Sequence, residues 1–162
     1  MSNKNLTFQR RNGGRLQISP EAFTSMLVFR QDTPEKLEAG GVMLGRRILG
    51  GDDVVVDRVT SPMPGDRRSR TRFFRARRLH QEQIDAAWKK SEGTCAYLGE
   101  WHTQPEGLPS PSFVDLAGWQ RKMLFDRVGP NIFFVIVGSK ELRAWEGRRL
   151  RYPNQLPIWN AS

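Results

Sequence analysis

The chain has 162 residues, with 26 Lys and Arg against 17 Asp and Glu, so its formal net charge is +9. This length suits one domain spanning residues 1–162 and excludes a large multidomain enzyme. A single cysteine, Cys95, excludes an internal disulfide framework and a four-cysteine zinc site. No apolar run approaches the ~18 residues that a membrane span needs, and the N-terminal segment lacks the apolar region of a signal peptide. We therefore expect a soluble, cytoplasmic globular domain with no membrane partner.

The first half of the chain is predicted to alternate strands with two helices. The turn Asn12-Gly13-Gly14 favours a hairpin, because asparagine and glycine tolerate the positive φ that tight turns need. Ser19 followed by Pro20 is typical of a helix start. In chain order we predict strands at 6–9 and 15–18, a helix at 20–30, strands at 40–48 and 54–59, a loop at 61–70, a short strand at 71–76 and a helix at 80–90.

The second half contains the most apolar segment, residues 131–138, which is typical of a central strand covered on both faces. Ser110 is a candidate N-cap for the helix that follows it. We predict a strand at 94–102, a loop at 104–110, a helix at 111–125, a strand at 131–138 and its hairpin partner at 141–145. The order of elements predicts a mixed α/β (α+β) fold, in which helices pack against one mixed central sheet.

Arginines dominate the basic residues and cluster at 67–78 and 148–151. A guanidinium group binds carboxylates and phosphates through paired hydrogen bonds, so an acidic protein or a nucleic acid is a conceivable partner. Phe73 and Phe74 could stack on bases, or could anchor a strand beneath a solvated basic face. We favour the solvated face, or attraction to an acidic protein, over direct binding of nucleic acid.

Residues 99–115 carry the strongest functional signal. His102 lies where a predicted buried strand reaches a proline-rich loop. Ser112 and Asp115 lie three residues apart near a helix start, so their side chains share a helix face. Histidine and carboxylate groups are ordinary zinc ligands, and a catalytic zinc keeps one position open for water. The segment is therefore a candidate metal site.

These residues resemble the signature of the JAB/MPN+ (JAMM) zinc metallopeptidase family, an upstream Glu followed by H-x-H-x(7)-S-x(2)-D. His102, Ser112 and Asp115 fall at the required spacings, and Glu38 matches the upstream acid. The resemblance covers about residues 6 to 147. It implies an MPN-like domain that hydrolyses a peptide or isopeptide bond after a ubiquitin-like or similar C-terminus.

One position departs from the family pattern: Gln104 stands where the second histidine is expected. A glutamine oxygen is neutral and is a poorer zinc donor than imidazole, so we expect low zinc affinity and feeble cleavage. Gln104 is either a weak ligand or a residue that binds water. A natural loss and a histidine-to-glutamine change made to trap a substrate both remain open, and the otherwise intact motif favours a recent or engineered change.

The resemblance also implies a role for each motif residue. His102, Asp115 and the residue at position 104 would hold Zn²⁺. Glu38 would take a proton from the metal-bound water and pass it to the leaving amine. Ser112 would donate a hydrogen bond to the oxyanion that develops on the scissile carbonyl.

Within the family, segments 97–103 and 105–119 are most similar to a small bacterial branch encoded beside a ubiquitin-conjugation-like enzyme in CBASS antiphage operons. This resemblance implies a deconjugase that acts on the C-terminal tail of a cGAS-like nucleotidyltransferase, with the tail extended along a strand edge. The conjugation-like enzyme is a second candidate partner. The residues that we expect to contact the substrate are Trp101 in the groove and Arg67, Arg68 and Arg70 on the docking surface.

Two other reactive side chains have simpler interpretations. His80 falls on a polar helix face and is expected to be solvated. Cys95 is expected to be a buried, inert thiol. Three functional classes then remain: an isopeptidase impaired by Gln104, a non-catalytic module that binds a protein tail, and a basic domain that binds nucleic acid.

Overall fold

The computed structural model describes residues 6–125, 129 and 131–160, and in these residues the chain forms ten strands and three helices. In chain order the elements are β1 (Leu6–Gln9), β2 (Arg15–Ile18), α1 (Pro20–Leu27), β3 (Gly40–Arg47), β4 (Val54–Val59), β5 (Arg67–Arg68), β6 (Phe73–Phe74), α2 (Arg77–Lys90), β7 (Ala96–Thr103), α3 (Phe113–Phe125), β8 (Asn131–Val137), β9 (Leu142–Arg148) and β10 (Asn154–Leu156).

Eight strands form one mixed sheet in the order β1-β2-β4-β3-β7-β8-β9-β10, and β5 pairs with β6 in a separate two-stranded sheet. The β2–β4 and β7–β8 pairs are parallel, and the other pairs of the large sheet are antiparallel. The predicted mixed α/β architecture is therefore confirmed. No helix in the described part of the chain is long and apolar enough to cross a membrane.

Helices cover both faces of the sheet. Successive side chains of a strand point to opposite faces, so a central strand contributes side chains to the core on each side. Phe133, Val135 and Val137 of β8 belong to the core cluster that includes α1. Phe134 and Ile136 of the same strand pack instead with α3. Helix α2 covers a third cluster beside β3 and β7. The prediction that residues 131–138 form a strand buried on both faces is confirmed.

Three helix boundaries differ from their predictions: the end of α1 and the starts of α2 and α3. Helix α1 starts as expected, with the hydroxyl of Ser19 accepting a hydrogen bond from the backbone N–H of Ala22 at 3.1 Å. It ends at Leu27 rather than at residue 30, because the chain tightens there into turns with i→i−3 hydrogen bonds. Helix α3 starts at Phe113, and its first turn is capped by Ser112 rather than by Ser110.

The expectation that His80 is solvated is wrong. The predicted loop at 61–70, which contains the short strand β5, supplies one of its partners. His80 is fully buried. Its Nε2 lies 2.8 Å from Asp66 Oδ2, and its Nδ1 lies 2.7 Å from Thr60 Oγ1. Asp66 also accepts hydrogen bonds from the backbone N–H groups of Met63 and Ala76, at 2.8 Å each. Because α2 begins at Arg77, three residues earlier than predicted, this network ties the start of the helix to the loop before it.

Candidate active site

The end of β7 brings His102 and position 104 to one face of the sheet. Pairing with β3 places Gly40 opposite His102. Pairing with β8 on the other side continues past the strand end, since Gln104 N–H donates to the carbonyl of Val137 at 3.0 Å. The alternation of an extended chain then directs His102 and Gln104 to the same side, as an H-x-H motif requires.

Helix α3 contributes the carboxylate through its first turn. The backbone N–H of Ser112 donates to Asp115 Oδ2 at 2.7 Å, and the backbone N–H of Asp115 donates to the hydroxyl of Ser112 at 3.1 Å. This reciprocal pair is a capping box, and it satisfies backbone donors that the helix start would otherwise leave unpaired. It also fixes the position of the Asp115 carboxylate relative to the strand.

Three of the predicted metal-site side chains are in contact. His102 Nε2 lies 3.4 Å from Asp115 Oδ1. The amide nitrogen of Gln104 lies 3.0 Å from Asp115 Oδ2 and 3.5 Å from His102 Nε2. The His102 and Asp115 side chains are 12% and 16% exposed, so the cluster lies at the protein surface but is largely covered.

Glu38 lies beside this cluster and is only 5% exposed. Its backbone N–H donates to the carbonyl of Ser69 at 2.8 Å, and its own carbonyl accepts a hydrogen bond from Arg68 Nε at 2.9 Å. Glu38 and Asp115 line both of two adjacent hollows, of about 610 and 340 Å³. The residues that the motif predicts to work together are therefore gathered in one place.

The two acidic residues of the site are shifted in opposite directions. Burial raises the pKa of Glu38 to about 7, with the charges of Asp115 and Glu106 adding to the effect against the opposing charge of His102. Burial also raises the pKa of Asp115, but contact with His102 and two hydrogen bonds with Ser112 outweigh it and leave that pKa below its ordinary value. A carboxyl that is only partly ionised near neutral pH, beside one that is fully ionised, is an arrangement typical of acid–base catalysis.

Burial alone would lower the pKa of His102, but contact with Asp115 and the nearby charge of Glu38 raise it above its ordinary value. The imidazole therefore gains a proton more readily than a free histidine does. A protonated imidazole has no lone pair to give to a metal.

The donor set present here does not fit a catalytic zinc. Within residues 6–125, 129 and 131–160, no group of three His, Cys, Asp and Glu side chains is arranged to hold a metal ion. His102 and Asp115 supply two ordinary donors, but the third side chain, Gln104, is a neutral amide whose N–H group donates a hydrogen bond to Asp115 Oδ2 and so occupies a lone pair of that carboxylate. We therefore derive no reaction step through a metal in this chain.

A groove of about 610 Å³ leads to the site between the β5–β6 hairpin and α3. Phe73 and Phe74 line it on the hairpin side, and Trp119 lines it on the helix side. Glu100 lies in the groove and is bridged to Arg75 Nη2 at 2.6 Å and to Lys122 Nζ at 3.0 Å. The groove therefore combines aromatic side chains with ion-paired charged side chains.

The predicted substrate-contact residues lie in two different settings. Trp101 is 1% exposed, and its indole N–H donates to the carbonyl of Thr60 at 2.9 Å, so its ring is part of the core although it contributes to the groove lining. Arg67, Arg68 and Arg70 are exposed on the hairpin. Arg68 donates to the carbonyls of Leu37 and Glu38, and Arg70 donates to the carbonyl of Pro34, so these two arginines also hold the segment that carries Glu38.

Sequence analysis did not predict the buried residues that hold the motif residues in position. Thr103 lies between the two motif positions, and its hydroxyl accepts from Ala39 N–H and donates to Gln31 Oε1, both at 2.9 Å. The amide nitrogen of Gln31 reaches the carbonyl of Arg70 at 2.8 Å. The alternation of the strand predicts that Thr103 points inward, but no local signal marks Gln31, which lies 72 residues away in sequence.

Cys95 is half-buried, and burial raises the pKa of its thiol. A thiol with a raised pKa is a poor nucleophile. Cys95 is therefore less buried than the sequence predicts, and its raised pKa agrees with the expected low reactivity.

Comparison with known proteins identifies the family to which this chain belongs. The profile of a family described as prokaryotic homologs of the JAB domain matches residues 20–148. The chain belongs to this family. Among curated relatives, proteins named CD-NTase/cGAS isopeptidase are 35% identical in Vibrio cholerae (93% of this chain and 92% of the relative), 37% in Pseudomonas aeruginosa (78% and 79%) and 31% in Escherichia coli (83% and 81%).

The JAB-family fold also recurs among solved structures. The solution structure of a protein from Desulfitobacterium hafniense matches with a TM-score of 0.56 and 23% identity, over 86% of this chain and 88% of that chain. This likeness supports the fold only. The prediction that the sequence motif marks a JAB-type domain is confirmed by the family match and the fold together.

Proposed function

We propose that this protein is an isopeptidase of the CD-NTase/cGAS type in which Gln104 has removed one metal-binding side chain. Its substrate is a conjugate made through the C-terminal tail of a cGAS-like nucleotidyltransferase in CBASS antiphage signalling, in the cytoplasm. The observation that carries the proposal is the contact of His102, Gln104 and Asp115 beside buried Glu38. The names of the three relatives support the substrate class.

The remaining residues are suited to proton transfer and to stabilisation of negative charge. Glu38, with a pKa of about 7, can both accept and return a proton near neutral pH. The hydroxyl of Ser112 accepts from the backbone of Asp115, so its own proton is available to donate to an oxyanion. Zn²⁺ held by His102, Asp115 and a histidine at position 104 would supply an activated water to these groups, and the donor set of this chain does not fit that ion.

The groove is suited to binding the tail in an extended form. Within the described residues β6 pairs as a strand with β5 alone, and on this edge the backbone of Phe73 hydrogen-bonds to Glu38, so an extended tail would lie beside the hairpin next to that residue. Phe74 is 60% exposed beside this edge, and Trp119 lies on the opposite side of the groove. We assign Arg67 on the same hairpin to contact with the body of the conjugated protein, and the ubiquitin-conjugation-like enzyme is a second candidate partner for that surface.

A cleavage assay on the conjugate tests the proposal. We expect the wild-type chain to cleave at least about 100-fold more slowly than Gln104→His, since the loss of a metal-binding residue costs a large part of the catalysis. Gln104→Asn, which changes the side chain without adding an imidazole, is the matched control and should stay as slow as the wild type. Equal rates for the wild type and Gln104→His would contradict the impairment.

A non-catalytic module that binds a protein tail is the second candidate. It is favoured by the hydrogen bond from the Gln104 amide to the Asp115 carboxylate, which gives that carboxylate a partner without any ligand. On this alternative, the wild type and Gln104→His bind a tail peptide equally well and neither cleaves the conjugate.

A further inference from the structure

A second hollow, of about 430 Å³, lies at the end of the sheet away from the Glu38 site. It is formed where the β1–β2 turn meets the start of β8 and the β9–β10 connection. Asn131 begins β8 five residues before Ile136, the partner of His102 in the β7–β8 register, so the two sites lie about 16 Å apart along the strand. The hollow is therefore separate from the candidate active site.

Three arginines line this hollow: Arg11, Arg148 and Arg151. Its acidic lining residue, Glu146, is already neutralised by Arg10, with Arg10 Nη2 at 2.7 Å from Glu146 Oε1 and side chains only 5% and 11% exposed. None of the three arginines forms an ion pair with another described residue. The hollow thus concentrates uncompensated positive charge, which an anionic ligand would relieve.

One of these arginines is held in place by a buried polar group. Asn131 is 4% exposed, and its amide nitrogen bonds to the Glu146 carboxylate. Its Oδ1 accepts a hydrogen bond from Arg148 Nε at 3.1 Å. The guanidinium of Arg148 is therefore fixed through Nε, which leaves its two terminal nitrogens to bind a phosphate through parallel hydrogen bonds.

We propose that this hollow binds a phosphate-bearing small molecule of nucleotide size. Its volume falls within the range of about 300–1,000 Å³ that is usual for small-molecule sites. Arg148, Arg151 and Arg11 bind the phosphate, which carries up to two negative charges near neutral pH. The ring of Tyr152 and the amides of Asn12 and Asn154 line the hollow and contact the rest of the ligand.

Titration calorimetry with AMP, inorganic phosphate and adenosine tests the site on the full chain. AMP is expected to bind best, inorganic phosphate more weakly and adenosine not measurably. Arg148→Ala and Arg151→Ala should each weaken AMP binding by about tenfold or more, as loss of a charge-assisted contact does. Arg151 is exposed and makes no side-chain hydrogen bond to another described residue, so its substitution keeps the test valid even if Arg148→Ala destabilises the fold.

Arg149→Ala is the matched control, because Arg149 is the exposed neighbour of Arg148 and does not line the hollow. It should leave AMP binding within about twofold, as expected of a surface charge outside the contact. Absence of binding by both AMP and phosphate at millimolar concentration would overturn the proposal. Equal losses in Arg149→Ala and Arg148→Ala, or equal binding of adenosine and AMP, would also overturn it. None of these results depends on the proposed cleavage activity.

Discussion

Arg68 donates a hydrogen bond from Nε to the backbone carbonyl of Glu38 at 2.9 Å. The backbone N–H of Glu38 donates to the carbonyl of Ser69, so both the N–H and the carbonyl group of Glu38 are hydrogen-bonded to the hairpin. The hairpin that borders the groove is therefore also the support of the candidate general base.

Arg68→Ala should disturb Glu38 rather than only remove a docking charge. We expect a loss of about 1 kcal/mol in the free energy of unfolding, as is usual for a single hydrogen bond, and a fall in Tm of about 2–4 °C. In the Gln104→His background, kcat should fall because Glu38 is less well positioned. Thermal denaturation and steady-state kinetics measure the two effects.

Arg67→Ala is the control for that prediction, because Arg67 is on the same strand and stacks 5.0 Å from the Phe74 ring centroid instead of bonding to Glu38. It should leave stability within about 0.5 kcal/mol and raise KM if the arginine contacts the target. Equal effects of the two variants on KM, with stability unchanged in both, would mean that neither arginine positions Glu38.

The buried pair Asp66–His80 should make stability depend on pH in the acid range. Burial raises the pKa of Asp66, but the hydrogen bonds with His80 and with the backbone N–H groups of Met63 and Ala76 outweigh it and leave the pKa below the ordinary 3.8. A carboxyl with a lowered pKa stabilises the fold above its unfolded pKa, and this stabilisation is lost as pH falls through its folded pKa. Asp66→Asn should therefore cost about 1–3 kcal/mol at neutral pH and progressively less below about pH 3.8.

Urea unfolding of the wild type and Asp66→Asn from neutral pH to pH 3 measures this difference. Asp85→Asn on the same helix is the matched control, because Asp85 is exposed and bonds only to Gln81 among the described side chains. Its effect should be small at every pH. A constant difference between Asp66→Asn and the wild type across the range would contradict the prediction.

Gly99 allows β7 and β8 to approach closely beneath the site. It has a φ of +150°, and a Cβ atom there would collide with the backbone carbonyl of Phe133. Gly99→Ala should cost more than about 3 kcal/mol, because backbone rather than a flexible side chain would have to move. Gly118→Ala, in α3 with no atom within 4 Å of the added methyl group, should instead stabilise by about 0.5–1 kcal/mol. Chemical denaturation of both variants checks the contrast, and equal effects would contradict it.

Much of the fold could be predicted because local chemistry and tertiary packing agree there. The run at 131–138 is apolar at every strand position after Asn131, and it proved to be buried on both faces. Ser19 and Pro20 begin a helix as their chemistry dictates. The predicted end of α1 was three residues too late, because the end of a helix depends on where the chain that follows it turns.

The environment of the motif could not be predicted, because it depends on contacts between distant segments. His80 was expected in solvent because its neighbours in the helix are polar, yet Asp66 and Thr60 reach it from a loop and a strand end. Motif spacing predicted that His102 and Asp115 would meet, but not that the Gln104 amide would direct its nitrogen to both. The spacing of the motif in sequence predicts which side chains come together, whereas the orientation of their atoms depends on the tertiary structure.

Zinc per chain, measured by elemental analysis on the wild type and Gln104→His purified in parallel, tests the central claim most directly. We predict little zinc in the wild type and about one ion per chain in Gln104→His, because the substitution supplies a third ordinary ligand beside His102 and Asp115. About one zinc per chain in the wild type, or none in either protein, would contradict the account of Gln104 as the residue that disables the metal site.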